Sequence, residues 1–342
     1  MRMLTTLIVA VLVGACGGGA GSSSSIVPTT TSSALPATTG TPASSPSTAA
    51  ASASPLAAIG EPADDGARVI KVAGTDRTMD LTIDSPAVGV VGVRLLVPSQ
   101  FDAKPEGRWP VFFLLHGATG SHLDWTQYTD VEKLTAPTDL LVVMPDGGDW
   151  GFYSDWWNGG HGGVPMWETF HTVELPQLLE RNWRASDKRV VAGLSMGGYG
   201  AIEYAARKPG IFLAAASYSG VLAPIGGQID IGTKDLWGDP VAQADIWKAH
   251  DPTDLAAKLK GTPLYVSYGD GTPGPFDNGY VSPDDLEGWI AEQNVTFVAR
   301  LAKLKIPVTL DAYGPGAHDW PYWERALHRS LPLLLKALGQ ER

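Results

Sequence analysis

The sequence predicts an α/β fold with a mostly parallel central sheet and helices on both faces. Three observations point to it. Short, nearly continuous apolar runs recur along the chain, as strands buried on both faces require. Longer helical stretches lie between them. One run leads through G-x-S-x-G straight into an Ala-rich helix, a strand-turn-helix unit.

In chain order, the N-terminus stands apart. Arg2, the apolar run Leu4 to Val13 and the small residues Gly14-Ala15 before Cys16 have the layout of a secretory signal. The string Val13-Gly14-Ala15-Cys16 resembles a bacterial lipobox, so residues 1–16 read as a lipoprotein signal ending at a lipidated Cys16. Residues 17–60 read as a disordered Ser/Thr/Ala/Pro-rich tether, because Met3 to Gly60 contains no charged residue and too few large apolar ones to offset the entropy of ordering. The folded domain is expected over 61–342. Arg68–Gly74, Thr78–Asp84 and Val90–Pro98 read as antiparallel strands that begin the sheet. Parallel strands follow at Pro110–Leu115, Leu140–Met144, Arg189–Leu194, Leu213–Ser217, Leu264–Tyr268 and Val308–Tyr313, and helices at Trp167–Asn182, Met196–Lys208, Asp284–Lys305 and Trp320–Leu338. No internal repeat or second domain is required.

The chemistry centres on Val190 to Tyr199. A sharp strand-to-helix turn would lift Ser195 above the sheet, with Gly193 and Gly197 leaving room for the tight backbone, the arrangement of an α/β-hydrolase nucleophile. The Met196 N–H at the helix start can donate to a developing oxyanion. In such folds the acid and then the histidine follow the serine. Of His250, His318 and His328, only His318 lies in a Gly-Pro-rich loop directly after the last strand, so it is the expected base. Spacing offers two acids, Asp270, directly after the strand Leu264–Tyr268, and Glu287, further on at a helix start, and by spacing alone Asp270 is the choice.

These residues resemble the esterase D-like α/β-hydrolases, and within them the antigen 85 mycolyltransferase and diacylglycerol acyltransferase group. The strings that carry the resemblance are Phe152-Tyr153-Ser154-Asp155-Trp156, Trp167-Glu168-Thr169-Phe170, Leu194-Ser195-Met196, Leu286-Glu287-Gly288 and His318 with Trp320-Pro321-Tyr322-Trp323. The resemblance implies Ser195 as nucleophile, His318 as base and Glu287 ahead of Asp270 as acid, because the family has Asn where this chain has Asp270. It also implies Ala118 and Met196 amides as oxyanion donors, and Trp320 beside the base at the substrate cleft. Trp156 and His116 are placed at the cleft too, His116 as the residue that shapes the oxyanion loop. The resemblance breaks at one point. The Asp and Arg with which antigen 85 proteins hold trehalose are here His116 and Thr119.

Composition narrows the alternatives. A net charge of −11 argues against a nucleic-acid partner, and a single cysteine, Cys16, excludes a disulfide framework or cysteine-zinc site in the domain. His161, His171 and Asp155 lack a metal-ligand spacing, and no cofactor is implied. Asp64-Asp65 reads as surface charge and Asp284-Asp285 as favourable charge at a helix start. The expectation is a monomeric, extracytoplasmic serine ester hydrolase or acyltransferase acting on an acyl ester or glycolipid, membrane-bound through Cys16 or secreted. A non-catalytic surface binding module would be signalled by loss of the serine, acid or histidine, and none is lost.

Overall fold

Among the described residues nine strands form one sheet: β1 (Arg68–Thr75), β2 (Thr78–Ser85), β3 (Gly89–Leu96), β4 (Trp109–Leu115), β5 (Leu141–Pro145), β6 (Ala185–Leu194), β7 (Ala215–Tyr218), β8 (Leu264–Gly269) and β9 (Thr309–Gly314). They come from a computed structural model that describes residues 58–157, 165–225, 236–277, 279 and 282–340, all within one compact unit, Ser54–Arg342. The signal segment with Cys16, the tether to residue 57, Asn158-Gly159-Gly160 and His161 lie outside the described residues.

Strand order is β1-β2-β3-β5-β4-β6-β7-β8-β9. The first three strands pair antiparallel and β3 joins β5 antiparallel, after which every pairing from β5 to β9 is parallel. Alternation along β4 explains the layering. Val111, Phe113 and Leu115 enter one apolar cluster, and Phe112 and Leu114 enter a second. The first cluster takes in Leu178 of α4 (Leu175–Asn182), Ile202 of α5 (Met196–Arg207) and Phe297 of α8 (Asp285–Lys303). The second takes in Trp125 of α1 (Asp124–Tyr128), Val131 of α2 (Val131–Thr135) and Leu327 of α9 (Trp320–Ala337). The sheet is therefore covered on both faces.

Three local features differ from the sequence reading. The helix expected over Trp167–Asn182 is α3 (Trp167–Thr169), a π-helical turn at Phe170–Glu174, and α4. The wider turn lets Phe170, His171, Thr172 and Glu174 all face inward while Val173 stays exposed, which a regular 3.6-residue period would not allow. Second, β9 is largely exposed rather than buried on both faces, because it is the edge strand with β8 as its one neighbour. Its Asp311 is held by Arg325, Arg329 and the Tyr265 hydroxyl. Third, α1, α2, α6 (Ala244–Ala249), α7 (Pro252–Leu255) and the 3₁₀ turn Ala256–Leu259 have four to six residues each, too few to display a helical period.

The start of the domain is fastened to α4. The Ile59 N–H donates to the Val69 carbonyl at 2.7 Å, and Asn182 accepts from the Glu61 N–H at 2.7 Å and donates to the Glu61 carbonyl at 2.8 Å. Arg181 pairs with Asp64.

Candidate active site

Ser195 occupies a single-residue bend between the last residue of β6 and the first of α5, with φ 52° and ψ −119°. For a non-glycine residue this conformation costs about 1–3 kcal/mol and persists only where the surroundings enforce it. They do: the Ser195 N–H donates to the Tyr218 carbonyl at 2.9 Å, and the Tyr199 N–H closes on the Ser195 carbonyl at 3.0 Å. Gly193 and Gly197 are needed because the bend folds back on itself. A Cβ at Gly193 would strike the Gly197 carbonyl, and one at Gly197 would lie 2.5 Å from the Leu115 carbonyl oxygen and 2.6 Å from that of His116.

His318 follows β9, and its Nδ1 lies 2.7 Å from Glu287 Oε2. Glu287 is fully buried in the first turn of α8, and its other oxygen accepts from the Ser219 hydroxyl at 2.8 Å and the Gly269 N–H at 2.7 Å. A carboxylate with three donors and no exposure has one orientation open to it. It directs the Nδ1–H of a neutral His318 inward, which leaves Nε2 with its lone pair. Ser219 stands at the end of β7 with φ 46°, a second strained residue among the strand ends. The loops after β8 and β9 are zipped together: the Asp270 N–H donates to the Gly314 carbonyl at 2.8 Å, Gly271 to Gly316 at 3.1 Å, and Gly316 back to Thr272 at 2.8 Å. Trp323 packs edge-on to the His318 ring at 4.9 Å between centroids.

The loop after β4 passes over the bend, so that a side-chain carbon at Gly117 would stand 3.4 Å from Ser195 Cβ. His116 braces this loop. Its Nε2 accepts the Gly147 N–H at 2.8 Å, so its Nδ1–H donates to the Gly117 carbonyl at 2.6 Å. Burial holds its pKa below the ordinary histidine value, consistent with a neutral ring. The Gly117 carbonyl belongs to the same rigid peptide as the Ala118 N–H, so fixing one fixes the direction of the other. The placement of His116 on the cleft wall is corrected: it is 1% exposed and both ring nitrogens are engaged.

The other expected residues fall as follows. Asp270 turns away from His318, its Oδ1 accepting from the Thr272 N–H at 2.8 Å and the Thr272 hydroxyl at 2.5 Å. Of the two acids the sequence offers, it is Glu287 that lies against Nδ1 of His318. Trp156 is half-buried against the larger apolar cluster and donates to the Gly151 carbonyl at 3.2 Å, while Phe152 and Tyr153 are core residues. Trp320 lies 4.9 Å from Tyr128 and 5.3 Å from Trp323 between ring centroids, in the aromatic layer that reaches His318. Met196, at the start of α5, is buried, and its sulfur accepts the Phe152 N–H at 3.4 Å. Sequence reasoning missed Ser219, which carries no motif of its own, and it took Asp284 for a helix-start charge alone.

Among the described residues, two groups outside this site bring potential metal donors within 4.8 Å of one another. In the buried one, Glu168, Glu203 and His250, the positive charge is already supplied. Arg207 lies 2.7 Å from Glu168 and 3.1 Å from Glu203, and Lys208 lies 2.8 Å from Glu168. In the surface one, Asp130 is bonded to His328 at 2.7 Å and its N–H to Glu324 at 2.8 Å. His171 and Asp155 do not meet: His171 bonds Tyr204 and the Asp146 carbonyl, and Asp155 bonds Thr169.

Comparison with known proteins agrees with this architecture. The Esterase family matches residues 89–334. The chain is 32% identical over 281 residues to the diacylglycerol acyltransferase/mycolyltransferase Ag85B of Mycolicibacterium smegmatis, covering 76% of this chain and 85% of the relative. It is 38% identical over 173 residues to the esterase Rv1288 of Mycobacterium tuberculosis, covering 46% of this chain and 36% of that one. Among solved structures, MPT51 of Mycobacterium tuberculosis superposes with a TM-score of 0.61 at 26% identity over 79% of this chain and all of that one. An S-formylglutathione hydrolase of Agrobacterium tumefaciens shares the fold with a TM-score of 0.65 at 20% identity, over 79% and 99% of the two chains. On these grounds the chain belongs to the esterase family of α/β-hydrolases and is an ester hydrolase or acyltransferase.

Proposed function

We propose that the protein is an extracytoplasmic serine esterase working through Ser195, His318 and Glu287, and that hydrolysis prevails over transfer to a sugar. The observation that carries the triad is the 2.7 Å contact of His318 Nδ1 with the buried Glu287 carboxylate, at the same C-terminal end of the parallel strands as the strained Ser195. Nε2 of His318 takes the Ser195 hydroxyl proton as Oγ bonds to the ester carbonyl carbon. The Ala118 and Met196 N–H groups hold the resulting oxyanion. Collapse expels the alcohol, which leaves with the proton from His318, and an acyl-Ser195 remains. Water, deprotonated by His318, then releases the acid.

Hydrolysis is favoured by the acceptor side of the site. Where the acyltransferase branch carries a charged sugar clamp, this chain has Thr119, a neutral residue, and His116, whose nitrogens are both spent on the backbone. The Cys16 lipid anchor and its tether, which would hold a monomeric domain outside the cytoplasmic membrane, rest on the sequence. Among the described residues no helix is long and apolar enough to cross a membrane.

The test is nitrophenol release from p-nitrophenyl esters of graded chain length by the full chain and by Ser195→Ala, with and without trehalose or glycerol. Turnover is expected to vanish in the variant and to yield free acid in the presence of either alcohol. Activity retained by Ser195→Ala would overturn the serine mechanism, and acylated trehalose or glycerol as the main product would overturn the preference for hydrolysis.

A further inference from the structure

The side chain of Asp284 joins the two elements that carry the acid and the base. Its Oδ1 accepts the N–H groups of Leu286 and Glu287 at 3.0 and 3.1 Å, capping α8 at the turn from which Glu287 projects. Its Oδ2 accepts the backbone N–H of His318 at 2.7 Å, across 34 residues of sequence. Its own N–H is tied to the Gly271 carbonyl at 2.7 Å, in the loop already zipped to the histidine loop. Gly271 itself sits at φ 77°, and a Cβ there would strike the Asp284 carbonyl, so the two backbones meet as closely as they can.

We infer that Asp284 is a positioning residue for the ester reaction, its single carboxylate setting the separation between Glu287 and His318. This rests on the triad proposed above. Helix capping alone uses one oxygen. The second is spent on His318 itself, two residues past the Gly316 N–H that ties its loop to Thr272, and an imidazole displaced by about 1 Å costs on the order of 100-fold in rate. A residue with this task should govern the rate of bond making at Ser195 and leave substrate affinity alone.

Capping and positioning separate by substitution. Asn and Ser are both good N-caps, so either can keep Oδ1 or Oγ on the helix. Neither offers a second oxygen to His318. Full-length Asp284→Asn and Asp284→Ser are therefore assayed with p-nitrophenyl butyrate and for the rate of Ser195 labelling by a fluorophosphonate, beside thermal melts. Ser195→Ala and His318→Ala serve as references. The expected result is kcat and labelling rate reduced about 10- to 100-fold in both variants, with KM within about 2-fold and the melting midpoint close to wild type. Wild-type kcat in a variant whose melting midpoint has dropped would show a cap and nothing more, and would overturn the inference. An equal loss in kcat and in melting midpoint would do the same, marking a general structural role. If His318→Ala keeps its turnover, the triad itself falls, and the role of Asp284 with it.

Discussion

At the scale of the residue, the site is a set of short polar contacts made rigid by burial. The proposed nucleophile and base, Ser195 and His318, stand out in the local sequence, because each is marked by its surroundings: one by the glycines of a bend, the other by a Gly-Pro loop after a strand. The acid could not be fixed that way. Strand-to-loop reasoning favours Asp270, yet the Gly269 N–H finds its carboxylate partner 18 residues further on, in Glu287, while Asp270 closes a turn of its own. Glu287→Gln should therefore lower kcat for p-nitrophenyl butyrate by about 10³- to 10⁴-fold, since an amide cannot hold the imidazolium that forms. Asp270→Asn should change it by less than about 5-fold, the scale of a lost surface turn contact. A larger loss for Asp270→Asn than for Glu287→Gln would reverse the assignment. Ser219 and Asp284 were illegible because hydrogen bonds between distant loops leave no periodic trace.

At the scale of the element, strands and long helices were legible to within a few residues because β4, β5 and the second half of β6 are buried on both faces and α8 and α9 bury one. Legibility failed where the physics was not periodic: in the π-helical turn, in helices of one turn, and in β9, whose apolar residues belong to an exposed edge. The bend at Ser195 depends on the packing of α5 against the end of β4, so it is an inter-element joint. Gly197→Ala places a methyl group against two β4-loop carbonyls and should cost about 1–3 kcal/mol, read as a fall in the midpoint of urea unfolding. An unchanged midpoint would mean that the joint has slack. The face of α5 turned away from the sheet is similarly committed: Tyr199 donates to the His250 carbonyl at 2.8 Å, Glu203 bonds the His250 ring at 2.8 Å, and Arg207 donates to the Ala249 carbonyl at 2.7 Å.

At the scale of the whole molecule, buried titratable groups tie stability to pH with opposing signs. Burial lowers the pKa of His171 to about 3, and burial with the nearby Arg207 charge lowers that of His250 to about 3. Unfolded histidines bind protons near pH 6.5, so between about 6.5 and about 3 the unfolded chain holds more protons and stability falls as pH falls. Glu174 works the other way. Burial and the Asp65 carboxylate raise its pKa to about 7, so its contribution is complete below the unfolded value near 4.5 and is lost as pH rises through about 7. The melting midpoint should drop from pH 6.5 to pH 4, and Glu174→Gln, which lacks the compensating gain, should drop more steeply over that interval. Parallel curves would remove Glu174 from the balance.

The chain arrives at Glu61, clasped by Asn182, three residues before β6 begins, and Ser195 stands immediately beyond the other end of that strand. Ten residues of strand at about 3.3 Å each set the two some 30 Å apart. The point where the chain enters the described fold and the nucleophile thus lie at opposite ends of one strand, a full strand's length apart.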